Sequence, residues 1–402
     1  MMIKTSAQGS MTSETKVDLS KVKDILKKNS MIIILVLVTI FFTLQTGGTL
    51  LAPQNINNLI AQNGYVVILA VGMLLCILTG GNIDLSVGSI VALIGAIAGS
   101  LMVNLKMNVG LTIIICLIIG VIIGMLQGFW IAYIRIPAFI VTLAGMLLWR
   151  GVALVVLDGL TISPFPENYL NLFNSYIPDI FGGAINILCL LVGFIISLIY
   201  VVSQSISRST KLRKGYEVEK LGVTISKSIV ICAIVIATSY ILANYKGIPT
   251  ILVLLGIVVL IYTYFTSKTV PGRHLYALGG NEKATKLSGI NTNKVLFFAY
   301  INMAFLSAVA ALVCVARFNS AAPTAGTNYE MDAIAACYIG GASAYGGVGT
   351  VGGVVIGAIF MGVLNNGMSM MGIDSNYQKV VKGLILLFAV AFDVMSKKRS
   401  QE

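Results

Sequence analysis

Along the chain, apolar runs close to the length of a membrane helix alternate with short polar breaks, at 31–50, 61–80, 86–104, 110–133, 137–157, 184–203, 228–245, 248–266, 295–316, 350–371 and 379–396. A helix needs about 20 such residues to cross the hydrocarbon of a bilayer. The pattern therefore predicts eleven spanning helices. A further run at 333–341 is too brief to cross by itself and reads as a re-entrant or broken helix, which is tolerated only where protein or a water-filled path covers its backbone. The fold class is all-α: a polytopic helical membrane protein with ten to twelve transmembrane helices, broken or re-entrant segments included.

Composition agrees, with 57% hydrophobic and only 10% charged residues, against about 25% charged in a soluble domain. The formal net charge of +12 comes from 27 Lys and Arg against 15 Asp and Glu. In a membrane chain the basic residues gather in cytoplasmic loops, so the charge reports topology before it reports a ligand. Residues 1–30 hold six Lys against three acids. Residues 204–228 hold Arg208, Lys211, Arg213, Lys214, Lys220 and Lys227 against Glu217 and Glu219. Residues 267–294 hold Lys268, Arg273, Lys283, Lys286 and Lys294, and the 397–402 tail opens with Lys397, Lys398 and Arg399. All four segments are expected in the cytoplasm, whereas 158–183, with Asp158, Glu167 and Asp179 and no Lys or Arg, is expected outside. Two cytoplasmic termini require an even number of crossings. Either the 333–341 run counts as one, or one of the eleven does not fully span. Ahead of the membrane domain at 31–396, Leu19, Val22, Ile25 and Leu26 share a helical face ringed by lysines, which suits a short helix lying on the membrane surface.

Several chemistries are excluded. Cys76, Cys116, Cys189, Cys232, Cys314 and Cys337 each stand alone in apolar runs, and His274 is the only histidine. No metal site, cofactor or nucleic-acid partner is expected from such a set. A phosphate-cradling G-x-x-x-x-G-K-[ST] loop is missing, so the chain is not expected to hydrolyse a nucleotide. Glycines at intervals of four, Gly95 and Gly99, Gly120, Gly124 and Gly128, and Gly353 and Gly357, lay side-chain-free strips that let helices approach closely.

The run Gly80-Gly81-Asn82-Ile83-Asp84-Leu85-Ser86 interrupts an apolar stretch from 64 to 104. A carboxylate at that depth costs roughly 2.5–3.5 kcal/mol on insertion scales. Asp84 must then either cap the following helix or line a polar solute path with Asn82 and Ser86, and the two readings are compatible. Arg150 lies well inside its span and must snorkel to the outer headgroups or pair with carbonyls or Asp84. Gln62, Asn63, Gln127, Asn365 and Asn366 also sit in or at the ends of spans, where they suit either a hydroxyl-rich solute or interhelical hydrogen bonds. Between 268 and 290, Asn281 suits the cap of a two-turn helix, Glu282 its positive end and Gly289 its left-handed close. The small face of that helix, Ala284 with Leu287 and Ser288, must rest on the membrane and its own bundle or on a cytoplasmic partner, because so short a helix is not stable alone.

Gly-Asn-Ile-Asp-Leu-Ser-Val-Gly-Ser at 81–89, Ile-Pro-Ala-Phe-Ile-Val-Thr-Leu-Ala-Gly-Met-Leu at 136–147, Gly-Arg-His-Leu-Tyr-Ala-Leu-Gly-Gly-Asn-Glu-Lys-Ala at 272–284 and Gly-Gly-Ala-Ser-Ala-Tyr-Gly-Gly-Val-Gly-Thr-Val-Gly-Gly at 340–353 resemble the permease subunits of bacterial ABC importers for monosaccharides. The resemblance covers about residues 50–396, and the long insert at 158–228 is similar to the xylose-type and multiple-monosaccharide branch. It implies a homodimer in the cytoplasmic membrane, a separate cytoplasmic ATP-binding subunit and an extracytoplasmic sugar-binding protein. It also implies that 272–290, with Arg273, Gly279, Gly280, Asn281, Glu282, Ala284, Leu287, Ser288 and Gly289, is the segment that couples to the ATPase. At Asn82 close relatives often carry histidine, which leaves hydrogen bonding rather than titration there. The rival expectation is an ion-coupled secondary transporter, which would need several embedded carboxylates or inverted repeats.

Overall fold

Each apolar run is a helix in the computed structural model, which describes residues 30–183, 185–216, 218 and 221–401. The surface helix expected before residue 30 lies outside the described residues. In chain order the helices are α1 (Ser30–Gln45), α2 (Pro53–Leu78), α3 (Val87–Gly99, prolonged by a π-helical turn to Asn104), α4 (Val109–Ala132), α5 (Ala138–Leu157), α6 (Glu167–Asn174), α7 (Ile187–Arg213) and α8 (Leu221–Ala243). They continue as α9 (Thr250–Lys268), α10 (Val270–Gly280), α11 (Glu282–Leu287), α12 (Thr292–Phe318), α13 (Tyr329–Ile339), α14 (Val351–Met370) and α15 (Ser375–Gln401). Among the described residues there is no β-strand, and nine helices are long and apolar enough to cross a membrane.

The core is built on α2, α3 and α12, whose apolar residues are buried on nearly every face. A helix that is apolar all round belongs at the centre of a bundle. The glycine strip of α4 lies on α12: a Cβ at Gly124 would sit 2.7 Å from Ile301 Cα and 2.9 Å from the Tyr300 carbonyl, and one at Gly120 would sit 2.6 Å from Ala308 Cβ. Glycine is what allows the two backbones to touch. The α7–α8 hairpin stands at the periphery, with a small cluster of its own around Cys189, Leu242, Ala243 and Ile248.

One end of the bundle gathers the 158–186 loop. Ile162 N–H donates to the Ala321 carbonyl, Ile177 N–H to that of Ile248 and Asn186 N–H to that of Ala243. This loop is anchored rather than free, because α6 buries Tyr169 and its hydroxyl donates to the Leu312 carbonyl at 2.6 Å. The other end carries α10, α11 and the 340–349 loop. There Gly347 N–H donates to the Leu78 carbonyl at 3.1 Å, Met31 touches the Gly341 position and Asp393 accepts from Ala344 N–H at 3.0 Å. Both ends of the described chain therefore reach the same end of the molecule, which needs an even number of traverses. The short run at 333–341 supplies the last of them. Helix α13 is too short to cross, at about 1.5 Å per residue, and the irregular 319–328 segment completes the passage.

Three sequence boundaries move. The basic segment 204–228 is mostly helical, since α7 runs on to Arg213 and α8 starts at Leu221; Lys, Arg and Leu are good helix formers. Helix α15 continues through 397–401 instead of ending before the tail. Within 267–294 the sequence suggested only the two-turn helix, yet α10 precedes it, started by Thr269, whose hydroxyl accepts from Gly272 N–H at 3.1 Å, with Pro271 in the first turn.

Candidate functional site

Helix α2 ends where Gly80 and Gly81 take positive φ of 116° and 74°. A side chain at Gly81 would collide with the Ala344 carbonyl, so the turn also lets the 340–349 loop rest on the break. Asn82 turns back on α2, its Nδ2 donating to the Thr79 carbonyl at 3.1 Å and to the Thr79 hydroxyl at 3.2 Å. Asp84 is fully buried, and its Oδ1 accepts from Ser86 N–H at 2.8 Å and from the Ser86 hydroxyl at 2.6 Å. The carboxylate thus holds the turn that starts α3. Gln127 of α4 joins the chain of contacts by donating from Nε2 to Ser86 Oγ at 2.8 Å.

Four polar atoms around this cluster are buried without a hydrogen-bond partner: Asp84 Oδ2, Ser89 Oγ, Gln127 Oε1 and Trp149 Nε1. Gly145 of α5 leaves the room they share, since its absent Cβ would press on Gln127 Nε2 and lie 3.3 Å from both Ser86 Cβ and Trp149 Nε1. Gln127, Gly145 and Trp149 also line a cavity of about 610 Å³ together with Trp130, Val141 and Leu148, whereas Asp84, Ser86 and Ser89 do not line it and are buried. The cavity walls are apolar, with the Trp130 and Trp149 rings and the Gln127 side chain among them, and an indole face can stack on the apolar face of a small neutral polyol; Gln127 Oε1 and Trp149 Nε1 stay buried behind that surface. Trp149, Gly145 and Ser89 were not singled out in the sequence, where a tryptophan in an apolar run carries no sign that its N–H is buried.

The remaining polar residues lie elsewhere. Gln62 is exposed. Asn63 donates to the Leu59 carbonyl at 2.8 Å and packs on Gly362, and Asn366 exchanges hydrogen bonds with Asn55 at 2.9 and 3.1 Å. Asn365 neighbours them with its Oδ1 unpartnered. On α2, Asn63 stands some four turns, or about 22 Å, before Leu78, so this group belongs to the opposite half of the bundle. Arg150 takes the carbonyl option, donating to Pro323 O at 3.1 Å and Ala325 O at 2.5 Å. Asp84 is not alone among buried carboxylates: Glu330 and Asp332 of α13 are buried as well, and Lys382 neutralises Asp332 at 2.9 Å.

At the end that carries α10 and α11, Gly279 lies against the Leu78 carbonyl and Gly347 N, and the Tyr276 hydroxyl donates to the Gly349 carbonyl at 2.9 Å. Helix α10 thus touches the end of α2 and the loop that leads into α14. Helix α11 is capped by Asn281, whose Oδ1 accepts from Ala284 N–H at 2.9 Å, and closed by Gly289 at φ 84°. Thr285 faces inward, while Arg273, Gly280, Ala284, Leu287 and Ser288 are exposed. Glu282 pairs with Arg135 at 2.7 Å, and Arg135 also donates to Thr292 Oγ1 at 3.2 Å and to Asn293 Oδ1. Arg135, in the turn between α4 and α5, is a further residue not singled out in the sequence. It ties α11 to the two helices that wall the cavity.

Residues 55–390 match the family described as branched-chain amino acid transport system / permease component. The xylose transport system permease protein of Haemophilus influenzae is 38% identical over 369 residues, covering 92% of this chain and 96% of that protein. The ribose import permease protein of Escherichia coli is 36% identical over 370 residues, covering 92% of this chain and 94% of that protein. No solved structure matches. With most of its length matched by that family and by two of its sugar-named relatives, the chain belongs to this family of transport-system permease components.

Proposed function

We propose that the chain is the membrane-spanning subunit of an ATP-driven, binding-protein-dependent importer of a monosaccharide in the cytoplasmic membrane of a bacterium. Two copies form the translocation path by alternating access. The cytoplasmic ATP-binding subunit seats on α10–α11, a sugar-binding protein docks on the end that carries 158–186, and both termini lie in the cytoplasm. Asp84, Ser86, Gln127 and Trp149 line the path, with Asn82 closing the helix above them. The observation that carries this reading is mechanical. The exposed α10–α11 segment touches both helix breaks through Gly279 and Tyr276 and holds the α4–α5 turn through Arg135, so a force applied at that segment reaches every element around the cavity.

Reconstitution tests it. Proteoliposomes holding this chain, its ATPase and its binding protein are expected to accumulate radiolabelled xylose or ribose only with ATP inside and binding protein outside. Uptake driven by a proton or sodium gradient without ATP would establish the secondary-transporter reading instead. The presence of Glu330 and Asp332 beside Asp84 makes that control necessary.

A further inference from the structure

Helix α15 starts at the end of the molecule that carries 158–186, because α14 leads away from the 340–349 loop and α15 returns to it through Asp393. Over its first two turns Ser375, Gln378, Lys379 and Lys382 recur at helical spacing and so share one face. Lys382 stands seven residues past Ser375, about 10 Å along the helix axis. At that depth it pairs with the buried Asp332 of α13 at 2.9 Å. The rings of Tyr65 on α2 and Tyr329 on α13 stack with their centroids 4.0 Å apart. Between the three helices lies a cavity of about 350 Å³, lined among others by Tyr65, Tyr329, Asp332, Ser375, Gln378 and Lys382.

A polar stripe and an ion pair set this far into a spanning helix face protein or water, never lipid, and mark the path of a solute. Asp332 and Lys382 offset each other, so an anion entering the cavity meets a carboxylate and a cation meets an ammonium. An uncharged ligand bears neither cost. Side by side the pair offers an acceptor and a donor to neighbouring hydroxyls, Gln378 adds an amide, and the tyrosine rings offer a flat apolar face. We propose that the α2–α13–α15 cavity binds the carried monosaccharide as a second station, separate from the Gln127–Trp149 cavity and on the side where the binding protein docks. Its hydroxyls are held by Asp332, Lys382 and Gln378. The inference rests on the reading of the chain as a sugar permease.

Met331 lines the same cavity and is exposed, so Met331→Cys places a thiol there without disturbing packing. The parent is the full-length chain with Cys232→Ser, since the other five native cysteines are buried. In right-side-out membrane vesicles this thiol is expected to react with a charged, impermeant methanethiosulfonate, and millimolar xylose or ribose is expected to protect it where sodium chloride does not. Adding Asp332→Asn with Lys382→Gln keeps the shapes and removes the charges. That pair is expected to leave labelling without sugar unchanged and to raise the sugar concentration for half-protection about tenfold, since charge-assisted hydrogen bonds are roughly twice as strong as neutral ones. A thiol that stays unlabelled, a lack of protection, equal protection by sodium chloride, or a half-protection concentration unmoved in the pair would each overturn the proposal. Reconstituted uptake separates it from the function it rests on: ATP-driven sugar transport without protection overturns the station alone, and protection without ATP-driven transport overturns the importer reading and leaves the station.

Discussion

Asp84 holds the return from α2 into α3 with one oxygen, which accepts both the N–H and the hydroxyl of Ser86. Asp84→Asn keeps a carbonyl oxygen in that place. Asp84→Leu leaves buried donors unaccepted, at about 1–3 kcal/mol for each. Thermal unfolding in detergent is therefore expected to show Asp84→Asn near the wild type and Asp84→Leu clearly lower, with sugar uptake in the same order. Equal and complete loss of uptake by both, with normal insertion of each, would mean that the negative charge itself is required. Gly124 offers a second test of single atoms. The nearest neighbours of an added Cβ are backbone atoms of Ile301 and Tyr300, which no rotamer change relieves, so Gly124→Ala is expected to destabilise by about 1–3 kcal/mol. Gly256→Ala in α9 meets open space and is expected to be neutral or to stabilise by less than about 1 kcal/mol. If both alanines melted alike, helix propensity and not the α4–α12 approach would govern the strip.

At the scale of elements, Arg135 is a strut between α11 and the α4–α5 turn. Its ion pair with Glu282 is half-exposed on both sides, so its worth to folding is below about 1 kcal/mol. Arg135→Ala is accordingly expected to leave melting almost unchanged while lowering sugar-stimulated hydrolysis by the assembled complex. A charge swap, Arg135→Glu with Glu282→Arg, should recover part of that stimulation; a fall in melting temperature without loss of stimulation would make the strut structural only. The elements themselves were largely legible. Twenty-residue apolar runs mark the spans, and the break at 79–86 shows in Gly80, Gly81 and a carboxylate set in an apolar stretch. Helix α10 was hidden because Pro271 and Gly272 are poor helix formers, although a Thr cap followed by proline is also how a helix starts. What periodicity never carries is which breaks meet. That Gly81 lies on Ala344, and that Gly145 makes room for Gln127 and Trp149, follows from crossings between helices far apart in sequence. The positions of Asn63, Asn365 and Asn366 were hidden for the same reason: their residue types resemble that of Gln127, and only the register along α2 sets them apart from the break at 79–86.

For the molecule as a whole, the decisive feature is that one end is tied down and the opposite end leaves a face uncovered. Around 158–186 the loop is tied down by Tyr169 and by backbone bonds to 248 and 321. At the opposite end α11 buries Thr285 against its own bundle and leaves Leu287 88% exposed beside Ala284 and Ser288. An apolar side chain held out on a capped, braced two-turn helix is arranged to enter something else. If it enters a tight groove of the ATPase, Ala284→Trp blocks approach by overpacking, because interfaces packed like interiors tolerate added volume poorly. Ala284 is exposed, and Asn281, Gly289 and Arg135 are untouched, so folding and insertion are expected to survive. Should α11 rest on headgroups instead, a tryptophan at that level would be well tolerated. The measurement is co-purification of the tagged variant with its ATPase subunit, followed by sugar-stimulated hydrolysis in proteoliposomes. Loss of both is expected; recovery of the ATPase at wild-type yield together with wild-type stimulation would remove α11 from the coupling contact and leave α10 as the remaining candidate.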